Sequence, residues 1–482
     1  MIIENKKRTL NFISQILMYV ICFRYFYFTT VFFSLSINIY WLFLAFGLIA
    51  FFDGLALSSL KEKDGTLKLV VVILSFVSPI SLIINLILKF KFKDVSYHVK
   101  EKQEDKKEEK PLKPFYKRAT FFVAIISLVL VFVSSFSAQA FASNGFTVET
   151  TDFTLTKEIV NPVNETPLNG QSFLIANDDA SWSVTMYKPK AATEDNKAPV
   201  VFIMPGFTRT KATMAQYAVE YSKRGAVCFI LDPGCQGATT AAGYYEGEMI
   251  SSTVAANGLE YLIQYVYNNT ERFPFIDRNR FGAIGHSAGG GNVVTAASDF
   301  AGANYNQSVI KALYISGYIK ASAADKYSNL NCNAVNSYAY YDEGAYRYQT
   351  ASTALEVINL RFVNEVKGDP HNYDLNELQY DYAYGDMANG TYRMLHREPT
   401  NHAFQMYDSL SITNTITFFR EALGFETSLK DTSHTWFGKE ASNGIALISA
   451  FTFIISLLAL LSTLPIVGFS KKKALLACSS EE

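Results

Sequence analysis

Apolar residues fall into long unbroken runs toward both ends of the chain, and into short runs divided by polar turns between them. From Leu10 to about Leu57 the apolar character is broken only locally, by Arg24 and Asp53. That length allows two membrane crossings, or one crossing and a helix lying at the interface. Ionisable groups in hydrocarbon are costly, so Arg24 and Asp53 are expected near the lipid surface. Leu69–Leu88, Ala119–Phe136 and Ile445–Val467 are each long enough to span once. Residues 1–88 are thus expected to form N-terminal membrane helices, 119–141 a transmembrane helix and 445–467 a C-terminal one. Residues 89–118 form a charged linker around K-E-K-Q-E-D-K-K-E-E-K, too polar to fold alone. Residues 468–482 form a basic tail containing Lys471, Lys472 and Lys473.

Between these spans, residues 145–429 alternate short strand patterns with helical ones. Trp182–Tyr187 alternates with period two, and Pro199–Met204 (P-V-V-F-I-M) reads as a fully buried strand. Ala212–Arg224 is helical and stops at Gly225; Ala226–Leu231 is the next strand. Ser252–Tyr267 is an amphipathic helix, and Ile310–Ser316 and Cys332–Tyr341 read as strands. Thr391–His396 is expected as the last strand and Ala403–Leu423 as the closing helix. The alternation predicts an α/β domain: a mainly parallel sheet with helices on both faces. Gly344–Gly390 exceeds what a strand-to-strand connection needs and is expected to form a helical lid.

One stretch carries candidate chemistry. Phe281–Gly291 reads F-G-A-I-G-H-S-A-G-G-G, a strand run, a turn with Ser287 at its apex, and a helical run from Ala288. Gly285 and Gly289 flank Ser287 as G-x-S-x-G, the spacing of a nucleophile elbow, where the backbone corner is too tight for flanking side chains. A serine hydroxyl is a weak nucleophile at neutral pH and needs a base within hydrogen-bond reach.

Composition narrows the choices. The 482 residues carry a net charge of −1, so no bulk electrostatic attraction points to nucleic acid. Five cysteines without paired spacing suggest neither a disulfide framework nor a zinc site. Neither a Walker A motif nor H-E-x-x-H occurs, so no cofactor and no metal is expected. Positive charge beside the spans, at Lys117-Arg118 and Lys471–Lys473, places the linker and C-terminus inside. The chain is then a multi-pass protein of the cell membrane with its domain outside. Counting Lys6–Arg8 as inside as well requires an odd number of crossings in residues 10–57. A-Q-A-F-A-S at Ala138–Ser143 has the small residues of a signal-peptidase site, which are also common where a helix leaves a membrane.

The order of P-G-F-T-R-T-K at Pro205–Lys211, K-R-G-A at Lys223–Ala226, D-P-G-C-Q-G at Asp232–Gly237 and G-H-S-A-G-G-G at Gly285–Gly291 resembles the α/β-hydrolase superfamily. The P-G-F turn and the elbow look most like its dienelactone-hydrolase and polyester-cutinase branch. The resemblance implies a serine ester hydrolase with chain order serine, acid, histidine. Ser287 is then the nucleophile. His402, between the last strand and closing helix, is the base, and Asp342, after the preceding strand, is the acid, with Glu343 next in line. The amides of Phe207 and Ala288 would form the oxyanion hole; Pro205 has no N–H to donate. Asp369, Asp381 and Asp386 read as solvated surface charges. The expected substrate is a small-molecule or lipid ester. An acyltransferase, a serine peptidase or a non-catalytic sensor on the same fold stand as alternatives.

Overall fold

The computed structural model describes residues 114–176, 178–240, 252–342 and 355–461. The N-terminal membrane helices, most of the linker, Glu343 and the basic tail lie outside them.

The described chain begins with α1 (Ala119–Ala142), which leads through a short turn into β1 (Val148–Thr156) and α2 (Lys157–Asn164). There follow β2 (Ser181–Pro189), β3 (Ala198–Met204), α3 (Ala215–Ser222), β4 (Val227–Leu231) and α4 (Ser252–Asn268). Next come β5 (Ile276–His286), α5 (Ala288–Asp299), β6 (Ile310–Ser316), β7 (Asn333–Ala339), α6 (Leu355–Asn364) and β8 (Arg393–Glu398). The chain closes with α7 (Ser409–Leu423) and α8 (Trp436–Leu461).

The strands form one eight-stranded sheet in the order β1-β2-β4-β3-β5-β6-β7-β8. β1 and β2 are antiparallel to their neighbours, and β4 through β8 run parallel. Both faces are covered, as the continuous apolar strands require. Val200, Phe202 and Met204 of β3 enter one core, while Val201 and Ile203 enter the other. Strands expected at 199–204, 226–231 and 310–316 occur within a residue of those bounds. β1 and α2 carried no strand or helix expectation. β1 is mostly exposed, and its polar V-E-T-T-D-F-T-L-T hides the alternation. The helix expected over 212–224 begins as a 3-10 turn at Lys211–Met214 and becomes α3 at Ala215. It ends at Ser222, and Gly225, at φ +97°, turns the chain toward β4.

Of the connection expected to form a lid, residues 344–354 lie outside the described residues. Leu355, Ile358, Phe362 and Val363 of α6 are buried in the domain core, so this helix packs inward against the sheet.

α1 and α8 lie against each other along their length. Both are long and apolar enough to cross a membrane, and most of their surface faces away from the protein. The buried seam is small: Ala124, Ser127, Ser134 and Ala138 on α1, with Ser442, Ser449 and Ser456 on α8. Small residues at such spacing let helix backbones approach closely. α8 starts at Trp436, nine residues before the expected Ile445, and its described part ends at Leu461.

Candidate active site

β5 ends at His286 and α5 begins at Ala288, so Ser287 alone makes the corner. Its backbone sits at φ +57° and ψ −127°, a region that a residue with a Cβ occupies only under constraint. The constraints are on either side. A Cβ on Gly285 would lie 2.0 Å from the carbonyl oxygen of Gly289, and one on Gly289 would lie 2.1 Å from that of Met204. The Ser287 amide donates to the Ser316 carbonyl of β6 at 2.8 Å, and the Ser287 carbonyl accepts from Gly290 at 2.8 Å. The corner expected at G-x-S-x-G is present.

The turn after β3 presses on this corner. A Cβ on Gly206 would meet the His286 carbonyl at 2.8 Å and Ser287 Cβ at 2.9 Å, and would lie 3.6 Å from Ser287 Oγ. The amide of Phe207 therefore follows directly from a residue in contact with Ser287. Ala288 opens α5, where first-turn amides have no acceptor within the helix.

His402 and Asp342 come together from separate loops. Asp342 follows β7 and is buried; His402 follows β8 and is partly exposed. His402 Nδ1 lies 2.7 Å from Asp342 Oδ2. The His402 ring packs on that of His286, with centroids 4.6 Å apart, which sets it beside the residue preceding Ser287. No hydrogen bond joins Ser287 Oγ to His402 among the described residues; such bonds are often long until substrate binds. Burial, then the neighbouring charges of His402 and Arg209, holds the His286 imidazole well below its ordinary pKa, so it stays neutral.

A polar cluster behind His402 carried no signal in the sequence. Glu398, at the end of β8, is buried and accepts from Ser337 Oγ at 2.7 Å, Gln405 Nε2 at 3.1 Å and Asn414 Nδ2 at 3.1 Å. Gln405 is fully buried, and its Oε1 lies 3.0 Å from where a Cβ on Gly317 would be; the same position is 3.2 Å from His402 Cε1. The cluster thus backs the loop that carries His402. The three other acids fall elsewhere. Asp381, though exposed, bonds His396 Nδ1 at 2.6 Å; Asp369 faces His371; Asp386 accepts from the Asn389 amide. His396 is inside β8 and stacks toward Tyr314 rather than the elbow. An open cleft bordered by Pro189, Lys197, Gly225 and Glu426 lies at the opposite ends of the strands from Ser287.

No protein-family model matches the sequence, and no characterised protein matches it. Solved structures do align with it. The S-formylglutathione hydrolase of Agrobacterium tumefaciens is 14% identical over 58% of this chain and 97% of its own, with a TM-score of 0.37. Est1E of Butyrivibrio proteoclasticus, solved with ferulic acid, is 14% identical over 52% of this chain and 98% of its own, with a TM-score of 0.35. A Bacteroides ovatus protein described as a dipeptidyl aminopeptidase IV is 11% identical over 58% of this chain, with a TM-score of 0.37; the match spans 36% of that protein's length. From its strand order, its antiparallel second strand and the serine corner between β5 and α5, the chain has the fold of the α/β-hydrolase superfamily.

Proposed function

We propose that this protein is a membrane-tethered serine hydrolase that cleaves carboxylic esters through an acyl-enzyme. Ser287 Oγ attacks the ester carbonyl while His402 Nε2 takes its proton. The Asp342 carboxylate holds Nδ1–H, keeping the ring in the tautomer that accepts at Nε2. The amides of Phe207 and Ala288 stabilise the negative oxygen as it forms. His402 returns its proton to the leaving alcohol; water, activated by the same imidazole, then releases the acid and restores Ser287.

The observation that carries this reading is one arrangement: a serine held at positive φ beside an imidazole whose far nitrogen is 2.7 Å from a buried carboxylate. Backbone strain held by its surroundings in this way favours a catalytic reading over a non-catalytic module. The helices α1 and α8 support the tether, and the basic residues flanking them favour a domain outside the cell.

The test is Ser287→Ala in the full-length, detergent-solubilised protein. Hydrolysis of p-nitrophenyl acetate and labelling by a fluorophosphonate should both vanish while the melting temperature holds. Equal turnover by the variant overturns the reading. Labelling of intact cells by an impermeant fluorophosphonate checks the sidedness.

A further inference from the structure

Gln405 stands between the buried carboxylate of Glu398 and the two imidazoles at the elbow. It is fully buried, three residues after His402, and opens the 3-10 turn Gln405–Tyr407. Which way round its amide sits follows from its neighbours. Ser337 Oγ donates to Glu398 Oε2 at 2.7 Å, which leaves its lone pairs to accept from Gln405 Nε2 at 2.9 Å. Glu398 Oε2 accepts from the same nitrogen at 3.1 Å. Two acceptors at one end fix the NH2 group there, so the amide oxygen points the other way.

That oxygen arrives at Gly317, which follows β6 at φ +61° and whose amide donates to the Ser337 carbonyl at 2.8 Å. The place a Cβ would take on Gly317 lies 3.0 Å from Gln405 Oε1, 3.1 Å from His286 Nε2 and 3.2 Å from His402 Cε1. Three side chains therefore converge on one point that only a glycine leaves open. His286 is buried, and its ring lies against that of His402, with centroids 4.6 Å apart. A neutral imidazole carries its proton on one nitrogen, and the neighbours decide which. Burial, then the charges of His402 and Arg209, keeps His286 neutral, so an amide oxygen beside Nε2 selects the Nε2–H form.

We infer that Gln405 is a positioning residue for the base: Glu398 and Ser337 fix its amide, the amide oxygen holds His286 through Nε2–H, and the packed His286 ring holds His402 toward Ser287. Asp342 grips His402 at one nitrogen only, and the ring can turn about that bond unless its face is held as well. This assignment deepens the ester-hydrolase reading and rests on it. Gln405 touches no reacting atom. It governs how often His402 Nε2 stands where it can take the Ser287 proton, so its loss falls on kcat and not on KM.

The experiment is Gln405→Met, which fills similar space without the amide, in the full-length, detergent-solubilised protein. Sites are counted by complete fluorophosphonate labelling, and p-nitrophenyl acetate turnover is expressed per labelled site. kcat per site should fall about tenfold or more while KM stays within about twofold. A merely structural role would lower the melting temperature and the number of sites and leave kcat per site unchanged; that result overturns the proposal. A second arm reads the ring directly by 15N NMR of protein labelled at its six histidines, with the His286 signal identified by its loss in His286→Gln. His286 should carry its proton on Nε2, and that signal should shift in Gln405→Met. A proton on Nδ1, or a signal that does not move, overturns the proposal; if Gln405→Met does not fold, the wild-type tautomer decides. Should the wild type hydrolyse no ester, the catalytic reading fails, and the NMR arm alone decides whether Gln405 holds His286.

Discussion

At the scale of single residues, the site is a set of close approaches that leave little room for change. Gly206 has the backbone of His286 and the Cβ of Ser287 at its flank, so Gly206→Ala must displace either the nucleophile or the turn carrying Phe207. The expected outcome is a folded protein whose kcat falls by about a hundredfold, as with loss of one oxyanion donor. Stopped-flow turnover of an activated ester together with circular dichroism would show whether activity is lost without unfolding. Asp342→Asn leaves the shape of the pair intact but offers a donor where His402 Nδ1–H needs an acceptor. Its kcat should fall by about three to four orders of magnitude, with fluorophosphonate labelling slowed in parallel. Unchanged kinetics in that variant would remove Asp342 from the triad.

Among elements, the decisive joint is between α3 and the start of α8. Glu220 is fully buried, with Lys223 Nζ and Arg224 Nη1 each 2.7 Å from one of its oxygens. Its other oxygen accepts from the amides of Thr435 at 2.7 Å and Trp436 at 2.9 Å, capping α8 from a neighbouring helix. Burial alone would raise this carboxyl, but Lys223, the Thr435 amide and Arg224 together hold it below its ordinary pKa. A depressed acid stabilises the fold above its unfolded pKa and ceases to do so as pH falls through the folded value. Glu220→Gln would leave two buried cations short of a partner, at a cost of about 3–5 kcal/mol. Thermal unfolding in detergent at neutral pH should show a large drop in Tm for this variant. Between wild type and variant, the gap should narrow on acidification.

For the whole molecule, one buried acid makes stability depend on pH at a place remote from the elbow. Glu260 of α4 is buried, and burial, then Asp299 at the end of α5, pushes its carboxyl up from 4.5 to about 8. Between those values the folded protein keeps a proton that the unfolded chain has released. Stability therefore falls as pH rises through that window, by at most about 1.4 kcal/mol per pH unit, and levels off above it. Glu260→Gln should melt higher than wild type at pH 8 and nearly with it at pH 5. Denaturation curves at those two values check the sign. The paired helices α1 and α8 predict in addition that the full chain stays with the membrane pellet in alkaline carbonate; its release would remove the tether.

Much of this architecture can be read from residue order alone, because the physics responsible is local. Continuous apolar runs such as P-V-V-F-I-M become strands that are buried on both faces. A serine between glycines at the end of such a run becomes a corner, since only glycine tolerates approaches near 2 Å. Asp342 and His402 become candidates only through the resemblance to a superfamily whose chain order is serine, acid, histidine, each standing just beyond a strand. What folding alone decided concerns partners far apart in sequence. β1 joins the sheet although its own pattern is polar, because pairing with β2 satisfies its backbone. α6 turns inward to cover the sheet, which the composition of the long connection did not foretell. The buried company of Glu398 and Glu220 follows from which loops meet in space. Burial sets the electrostatic strength of each such contact, and burial is a property of the assembled fold.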